Sequence, residues 1–192
     1  MRGKIQSILL ALCALGLSAC FASEKPLFDE RDSVTPIPAG KYRIIEQART
    51  DQAPQTFTGV VTLDGTKTEL ADAGSSEPPD TFLFHKLDGD YYIMLEPKSE
   101  SDDTFIYMLA HVGGGDITFF DYTRDCNSLE AIAKKRKVKL ASFGVVRVDK
   151  GNDASATDSC YFDRLEDLAK AFSTLIDAAM FAPYQTWQRI ES

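Results

Sequence analysis

The side chains of this chain that could take part in catalysis are two histidines and a large number of carboxylates. His85 and His111 are the only histidines among 192 residues, whereas Asp and Glu together number 29. A nucleophilic triad needs a base held in place by a third group, and the chain has no Gly-x-Ser-x-Gly turn. Both histidines fall in or at the end of predicted strands, where we expect ordinary hydrogen-bonded side chains. The sequence therefore predicts no catalytic residue and no enzyme, with a hydrolase as the least favoured alternative.

Metal and phosphate sites receive no better support from the spacing of the residues. A calcium loop that starts at Asp149 would need Gly at its sixth and Glu at its twelfth position, where Ala154 and Cys160 stand. A metal held by the two histidines would require their hairpins to stack in register. The run 113–115 is Gly-Gly-Gly but lacks the Lys-Ser/Thr of a phosphate loop, so we expect a hairpin turn. We predict no metal and no cofactor.

The N-terminus combines a basic start with an apolar run and small residues before a cysteine. Arg2 and Lys4 precede residues 5–17, which carry no charge, and Leu17-Ser18-Ala19-Cys20 follows. This is the layout of a secretory signal, and the run is too short for a membrane span of ~20 residues. The final block resembles the lipobox of bacterial lipoproteins. The alternatives are an ordinary signal cut nearby, for instance after Ala22, and an uncleaved anchor.

That resemblance implies a location and an anchor. Residues 1–19 would be removed as a lipoprotein signal peptide, and Cys20 would become the acylated N-terminus, carrying diacylglyceryl and N-acyl (palmitate) chains. More than one acyl chain gives stable membrane anchoring. Because Phe21 and not Asp follows the cysteine, the sorting rule of such lipoproteins favours the outer membrane, with the domain facing the periplasm.

The charge of the mature chain limits its partners. Loss of Arg2 and Lys4 would leave 19 basic residues against 29 acidic ones, a net charge of −10. So acidic a surface argues against nucleic acid and against docking on anionic lipid. The dense basic run 134–137, with Lys139 close by, is typical of a helix end, since cations suit a helix C-terminus. A local site for an anionic partner is the alternative.

Two further cysteines predict a disulfide. Cys126 and Cys160 remain after Cys13 leaves with the signal and Cys20 is acylated. Two thiols in an oxidising compartment form a bridge, which would stabilise the fold by ~3–4 kcal/mol in the chain-entropy model. The chain has no Cys-x-x-Cys spacing, which argues against a redox or zinc pair.

Hydrophobic patterning predicts one α+β domain over residues 41–192, preceded by a tether over residues 20–40. The tether prediction rests on its prolines, Gly40 and many charges. Alternation and turn residues then predict an antiparallel meander of about 6–8 strands, forming an open sheet or a partial barrel. The strands are expected at residues 42–47, 56–63, a short return to 70, 81–87, 91–95, 104–107, 117–120, 145–148 and 184–190.

Two helices complete the predicted domain. Apolar residues at i, i+3, i+4 and i+7 predict a long helix over residues 163–180, and a weaker pattern from Asn127 predicts a short one. Each follows one of the two downstream cysteines. A Cys126–Cys160 bridge would therefore hold the starts of both helices together, with the long helix against the sheet.

Aromatic side chains concentrate in the two central hairpins. They predict either a sheet core with cross-strand pairs or an apolar cavity for a small ligand, because both faces carry aromatics. The possible core or ligand-contacting residues are Phe82, Phe84, Tyr92, Phe105, Tyr107 and Phe119.

The chain as a whole resembles small envelope lipoproteins of proteobacteria. The resemblance rests on the lipobox, on Pro36-Ile37-Pro38-Ala39-Gly40-Lys41-Tyr42-Arg43 and on the two downstream cysteines. It implies a non-enzymatic protein, anchored through its lipid and acting on an envelope protein partner. Leu27 and Phe28, the apolar residues of the tether, are expected to dock either on the domain or on a partner. A carrier of a small apolar ligand is the second hypothesis, and a hydrolase of envelope material is the third.

Overall fold

The computed structural model describes residues 20–47, 53–96, 104–121, 125–150 and 158–190. Its centre is a closed barrel of eight antiparallel strands. In chain order these strands are β2 (Gly40–Glu46), β3 (Gln55–Asp64), β4 (Lys67–Asp72), β5 (Asp80–Asp88), β6 (Tyr91–Leu95), β7 (Phe105–Gly113), β8 (Asp116–Phe120) and β11 (Pro183–Arg189). The predicted signal peptide, residues 1–19, lies outside the described residues.

Closure of the barrel depends on the last strand. β2 to β8 pair in sequence order as a meander, and β11 pairs with both β8 and β2. The prediction of an antiparallel meander with two helices is confirmed. The sheet is closed, however, and in the described residues it has eleven strands, more than the 6–8 predicted. A closed sheet leaves no unpaired edge among these eight strands, which removes the usual template for aggregation.

Two helices and three short strands surround one side of the barrel. The strands are β1 (Phe21–Ser23), β9 (Arg147–Asp149) and β10 (Ser159–Tyr161), and the helices are α1 (Asp125–Arg136) and α2 (Leu165–Asp177). The predicted short helix is thus about as long as the other one, while α2 is shorter than the predicted 163–180. α2 has no side-chain cap at Arg164.

Alternation along the strands produces two apolar cores. Inward-facing side chains fill the barrel, and the largest of them are Tyr42, Phe82, Phe84, Phe119 and Trp187. An eight-stranded barrel is just wide enough for side chains to fill it. The second core lies outside the wall of β6 and β7, where one face each of α1 and α2 covers the sheet.

The stretch 20–40 is part of the fold, and the tether prediction is wrong for it. β1 pairs antiparallel with β7 and parallel with β10, and Phe21 is fully buried. Farther along, Phe28 and Ile37 are also buried, and Val34 forms an isolated bridge with Phe84. The prolines and charges of this stretch lie between apolar side chains, and burial of these side chains fixes the chain against the barrel.

Candidate functional site

Cys20, the predicted acylation site, is the first described residue and lies against the barrel wall. Its side chain is 5% exposed, and its Sγ lies 3.6 Å from the Oγ of Ser159. Its carbonyl oxygen accepts a hydrogen bond from the backbone N–H of Cys160 at 2.9 Å. An acyl chain on this sulfur needs space that the wall does not provide. Acylation would therefore require the Cys20 side chain to turn outward while β1 stays paired.

The second cysteine site is a disulfide, as predicted. Cys126 and Cys160 are both fully buried, with an S–S distance of 2.07 Å and a Cα–Cα distance of 5.3 Å. Cys126 lies in the first turn of α1, and Cys160 lies in β10. The bridge joins α1 to the strand that leads into α2, whose first residue is Leu165. It holds the start of α1, but not that of α2, beside β1.

Three of the six candidate aromatics are fully buried inside the barrel. They are Phe82, Phe84 and Phe119, each at most 1% exposed. Phe82 and Phe119 contact Trp187, and Phe84 contacts Phe119, with ring centroids 4.9 to 6.3 Å apart. These distances are typical of packed aromatic pairs. The Trp187 indole N–H donates to Gln185 Oε1 at 2.7 Å, and Gln185 Nε2 donates to Glu46 Oε1 at 3.0 Å.

Of the other three candidate aromatics, Tyr92 packs against the inner core and two lie on the outer side of the wall. Tyr107 is buried in the outer core, and Phe105 packs against that core. Burial raises the pKa of Tyr107, whose hydroxyl accepts a hydrogen bond from Leu27 N at 2.9 Å and lies 2.7 Å from Ser23 Oγ. Tyr92 is half-buried, with Lys86 Nζ 4.3 Å from its ring centroid. The six residues therefore do not line one common cavity, because alternation sends them to both sides of the sheet.

The two histidines have structural contacts. His85 Nδ1 lies 2.9 Å from the carbonyl oxygen of Asp32, and its ring packs 5.5 Å from that of Phe28. The His111 ring lies 4.9 Å from that of Tyr91. β6 runs between the strands that carry them, so the hairpins do not bring the two imidazoles together on adjacent strands.

Among the described residues, no group of three or more His, Cys, Asp or Glu side chains could hold a metal ion. The carboxylates near the rejected calcium loop are engaged in ion pairs. Asp149 Oδ1 lies 3.1 Å from Arg147 Nε, and Asp158 pairs with Lys150. Residues 151–157 of that loop, and the acidic residues at 100, 102 and 103, lie outside the described residues.

Asp125 is a buried carboxyl that the sequence pattern did not identify. It is 2% exposed, and its Oδ2 has no hydrogen-bond partner. Burial raises the pKa of Asp125 well above its ordinary value, and the neighbouring Asp121 raises it further. The side chain therefore holds a proton at pH values where an exposed Asp is ionised. Its position next to Cys126 in sequence is the only indication of burial that the sequence offers.

The basic run ends α1, as predicted, and lies beside a surface groove. Lys134, Lys135 and Arg136 occupy the last helical turn, and Lys137 and Lys139 follow it. All five side chains are exposed. A groove of about 660 Å³ opens next to them, and the apolar residues in its wall include Val138 and Leu140. The prediction located the cations but missed this apolar wall, which forms only when residues 138–140 fold back beside α1.

No protein-family model, curated protein or solved structure shows significant similarity to this chain. In addition, none of the described helices is both long and apolar enough to span a membrane.

Proposed function

We propose that this chain is a bacterial envelope lipoprotein, anchored through acylated Cys20 and acting by protein contacts and not by catalysis. The observation that carries the proposal is the block Leu17-Ser18-Ala19-Cys20 after a basic start and an uncharged run. The outer membrane, with the barrel facing the periplasm, is the location that Phe21 favours. The disulfide between Cys126 and Cys160 fits an oxidising compartment.

Two features support contacts over catalysis. The histidines pack against aromatic rings, and His85 Nδ1 lies within hydrogen-bond distance of the backbone carbonyl of Asp32. The inner wall of the barrel is occupied by mutually packed aromatic rings. These features leave the outer surface as the place where the protein would act.

Leu27 and Phe28 pack against the domain, which is one of the two alternatives expected for them, so the proposed contact surface lies elsewhere. Val34 and Leu63 are large apolar side chains that are more than one third exposed. The segments that carry them are held together by Glu30, whose carboxylate lies 2.9 Å from Lys67 Nζ and whose carbonyl accepts from the Thr66 hydroxyl at 2.9 Å. We propose this end of the barrel as the partner-binding surface.

The anchor is tested by cell fractionation of a Cys20→Ala variant. We expect it to leave the membrane fraction, because the acylated sulfur is lost. The matched control is Cys13→Ala, which removes a cysteine from the apolar run and keeps the four-residue block, and we expect it to remain in membranes. Equal membrane retention of both variants would show that Cys20 is not the anchor.

A carrier of a small apolar ligand is the second candidate. It is favoured by the closed barrel with aromatic residues on its inner wall and by Thr68, whose fully buried Oγ1 has no hydrogen-bond partner. Native mass spectrometry of protein released from membranes in mild detergent separates the two candidates. A bound small molecule that survives detergent exchange would favour the carrier, whereas the mass of the acylated chain alone would favour protein contacts.

A further inference from the structure

The cations at the end of α1 are an exception on an acidic protein. Five of the six positions from 134 to 139 are Lys or Arg, and all five are exposed. Elsewhere on the described surface, some cations such as Lys67, Arg147 and Lys150 lie within 4 Å of carboxylates, whereas isolated ones such as Lys41 and Lys86 have no such ion pair there. Within the described ranges, none of the five cations of this run has such an ion pair. We call these five residues the cation patch.

A favourable interaction with the helix dipole explains only part of the patch. It applies to Lys134, Lys135 and Arg136, which lie in the last turn. Lys137 lies beyond the helix in the left-handed conformation, with φ of 55°. Its N–H donates to Lys134 O, and Val138 N donates to Ala133 O, which is the bond pattern of a helix end that glycine usually occupies. A lysine here adds a fourth consecutive cation at a conformational cost.

The groove next to the patch has a mixed wall. Val138, which is 42% exposed, contributes to it. The other residues of the wall are apolar Leu140, Ala131 and Ala133 and polar Asn127, Glu130 and Lys134. Glu130 lies 3.8 Å from Lys150 Nζ. Cations beside a partly apolar wall match a ligand that has an anionic head and an apolar body.

The location of the patch points to a bilayer as the source of that ligand. Cys160 donates a hydrogen bond to the carbonyl of Cys20 and is bridged to Cys126 in the first turn of α1. A helix of 12 residues is about 18 Å long. The patch therefore lies one helix length, about 18 Å, from the disulfide that joins α1 to the neighbour of Cys20, and β1 starts directly after Cys20.

We propose that the cation patch and its groove bind anionic phospholipid in the membrane to which the chain is anchored. This inference rests on the proposed anchoring at Cys20. Binding would be local, since the rest of the strongly acidic surface is repelled by anionic lipid. The helix layer would then face the bilayer.

The test is amine labelling of the full chain in vesicles, with each lysine quantified by mass spectrometry. The vesicles contain phosphatidylcholine alone or an equal mixture with phosphatidylglycerol. One cation near an anionic surface contributes a factor of about 5 in binding. We therefore expect labelling of Lys134, Lys135, Lys137 and Lys139 to fall at least about 5-fold in the mixed vesicles. High salt should abolish this protection.

Exposed Lys41 and Lys86 serve as internal controls. A double variant, Lys135→Gln with Lys139→Gln, should lose the protection at Lys134, whereas Lys41→Gln with Lys86→Gln should keep it. Unchanged labelling of the patch, or equal protection of Lys41 and Lys86, would overturn the inference. Protection by soluble polyglutamate but not by anionic vesicles would identify an acidic polypeptide as the occupant, and would also overturn it.

The experiment distinguishes failure of anchoring at Cys20 from failure of lipid binding by the cation patch. If the purified chain is found in the soluble fraction, it is mixed with preformed vesicles and labelled in the same way. The proposed anchoring then fails, while the labelling of the patch still decides whether it binds anionic lipid.

Discussion

Replacing Phe21 by Ala tests whether the N-terminal stretch belongs to the folded core. A tether residue could be truncated at almost no cost in stability. In the structure Phe21 is fully buried in β1, and its ring meets those of Phe162 and Phe172 edge-on, at centroid distances of 5.0 and 4.9 Å. The substitution would leave a cavity between the barrel wall and α2.

The expected loss follows from this burial. Truncation of a buried Phe to Ala costs about 3–5 kcal/mol, which includes the lost edge-to-face contacts. For a domain of this size, 1 kcal/mol shifts the melting temperature by about 2–4 °C. We therefore expect the free energy of unfolding to fall by about 4 kcal/mol and the melting temperature by about 8–16 °C.

The assay is denaturant and thermal unfolding followed by circular dichroism, with the disulfide intact. Val34→Ala is the matched control, because Val34 lies in the same N-terminal stretch but is 38% exposed. Its main-chain hydrogen bond to Phe84 O is unaffected by the substitution. We expect the control to lose less than about 1 kcal/mol. An equal, small loss in both variants would refute the conclusion that β1 is part of the core.

Three further perturbations test other parts of the fold. Gly144→Ala should destabilise the protein strongly in the unfolding assay, because Gly144 has a φ of 83° and an added Cβ would lie 2.2 Å from Asp167 Cβ. Gly74→Ala is the control, because Gly74 has a φ of 86° but an added Cβ would meet no atom within 4 Å. The control should lose only about 1 kcal/mol of stability. If both variants lose the same amount, the close approach at Gly144 is not real. Replacing Cys126 and Cys160 together by Ser opens a loop with a sequence separation of 34 and should cost about 4 kcal/mol by thermal unfolding. An unchanged melting temperature would contradict a stabilising bridge. Asp125→Asn tests the raised pKa of Asp125. Above the ordinary carboxyl pKa near 4, Asp125 keeps its proton in the folded state but loses it in the unfolded state. As the pH rises from there to the raised pKa, the parent protein therefore loses up to about 1.4 kcal/mol of stability per pH unit. The variant should lack this slope, and parallel stability profiles would exclude the effect.

The sequence correctly predicts those strands, turns and helices whose characteristic residues lie within a few positions of one another. The hairpins at Asp64-Gly65 and at 88–90 have their turn glycines at positive φ, and α2 has the 3.6-residue apolar period over most of its predicted length. β1 was missed because three residues carry too little alternation to be distinguished from a coil. Its stability comes from β7 and β10, which lie more than 80 residues away.

Closure of the barrel and the surroundings of Cys20 also depend on contacts between residues that are far apart in the sequence, so no local pattern predicts them. β11 and β2 pair across about 140 residues, and no local pattern indicates whether a meander stays open or closes. The sequence identified Cys20 by its neighbours in the chain, but the contact with Ser159 depends on β10. The aromatic residues were recognised as a group, but their division between two cores depends on which face of each strand turns inward.

β1 also determines how the protein bears mechanical load. A pull on the N-terminal end of the described chain, directed along β1, shears its hydrogen bonds to β7 and β10 together and does not open them one at a time. β10 passes the load through the Cys126–Cys160 bridge into α1, so barrel and helix layer resist as one body. Movement of a surface attached at this end would be felt directly by the fold, with no slack segment in between to absorb it.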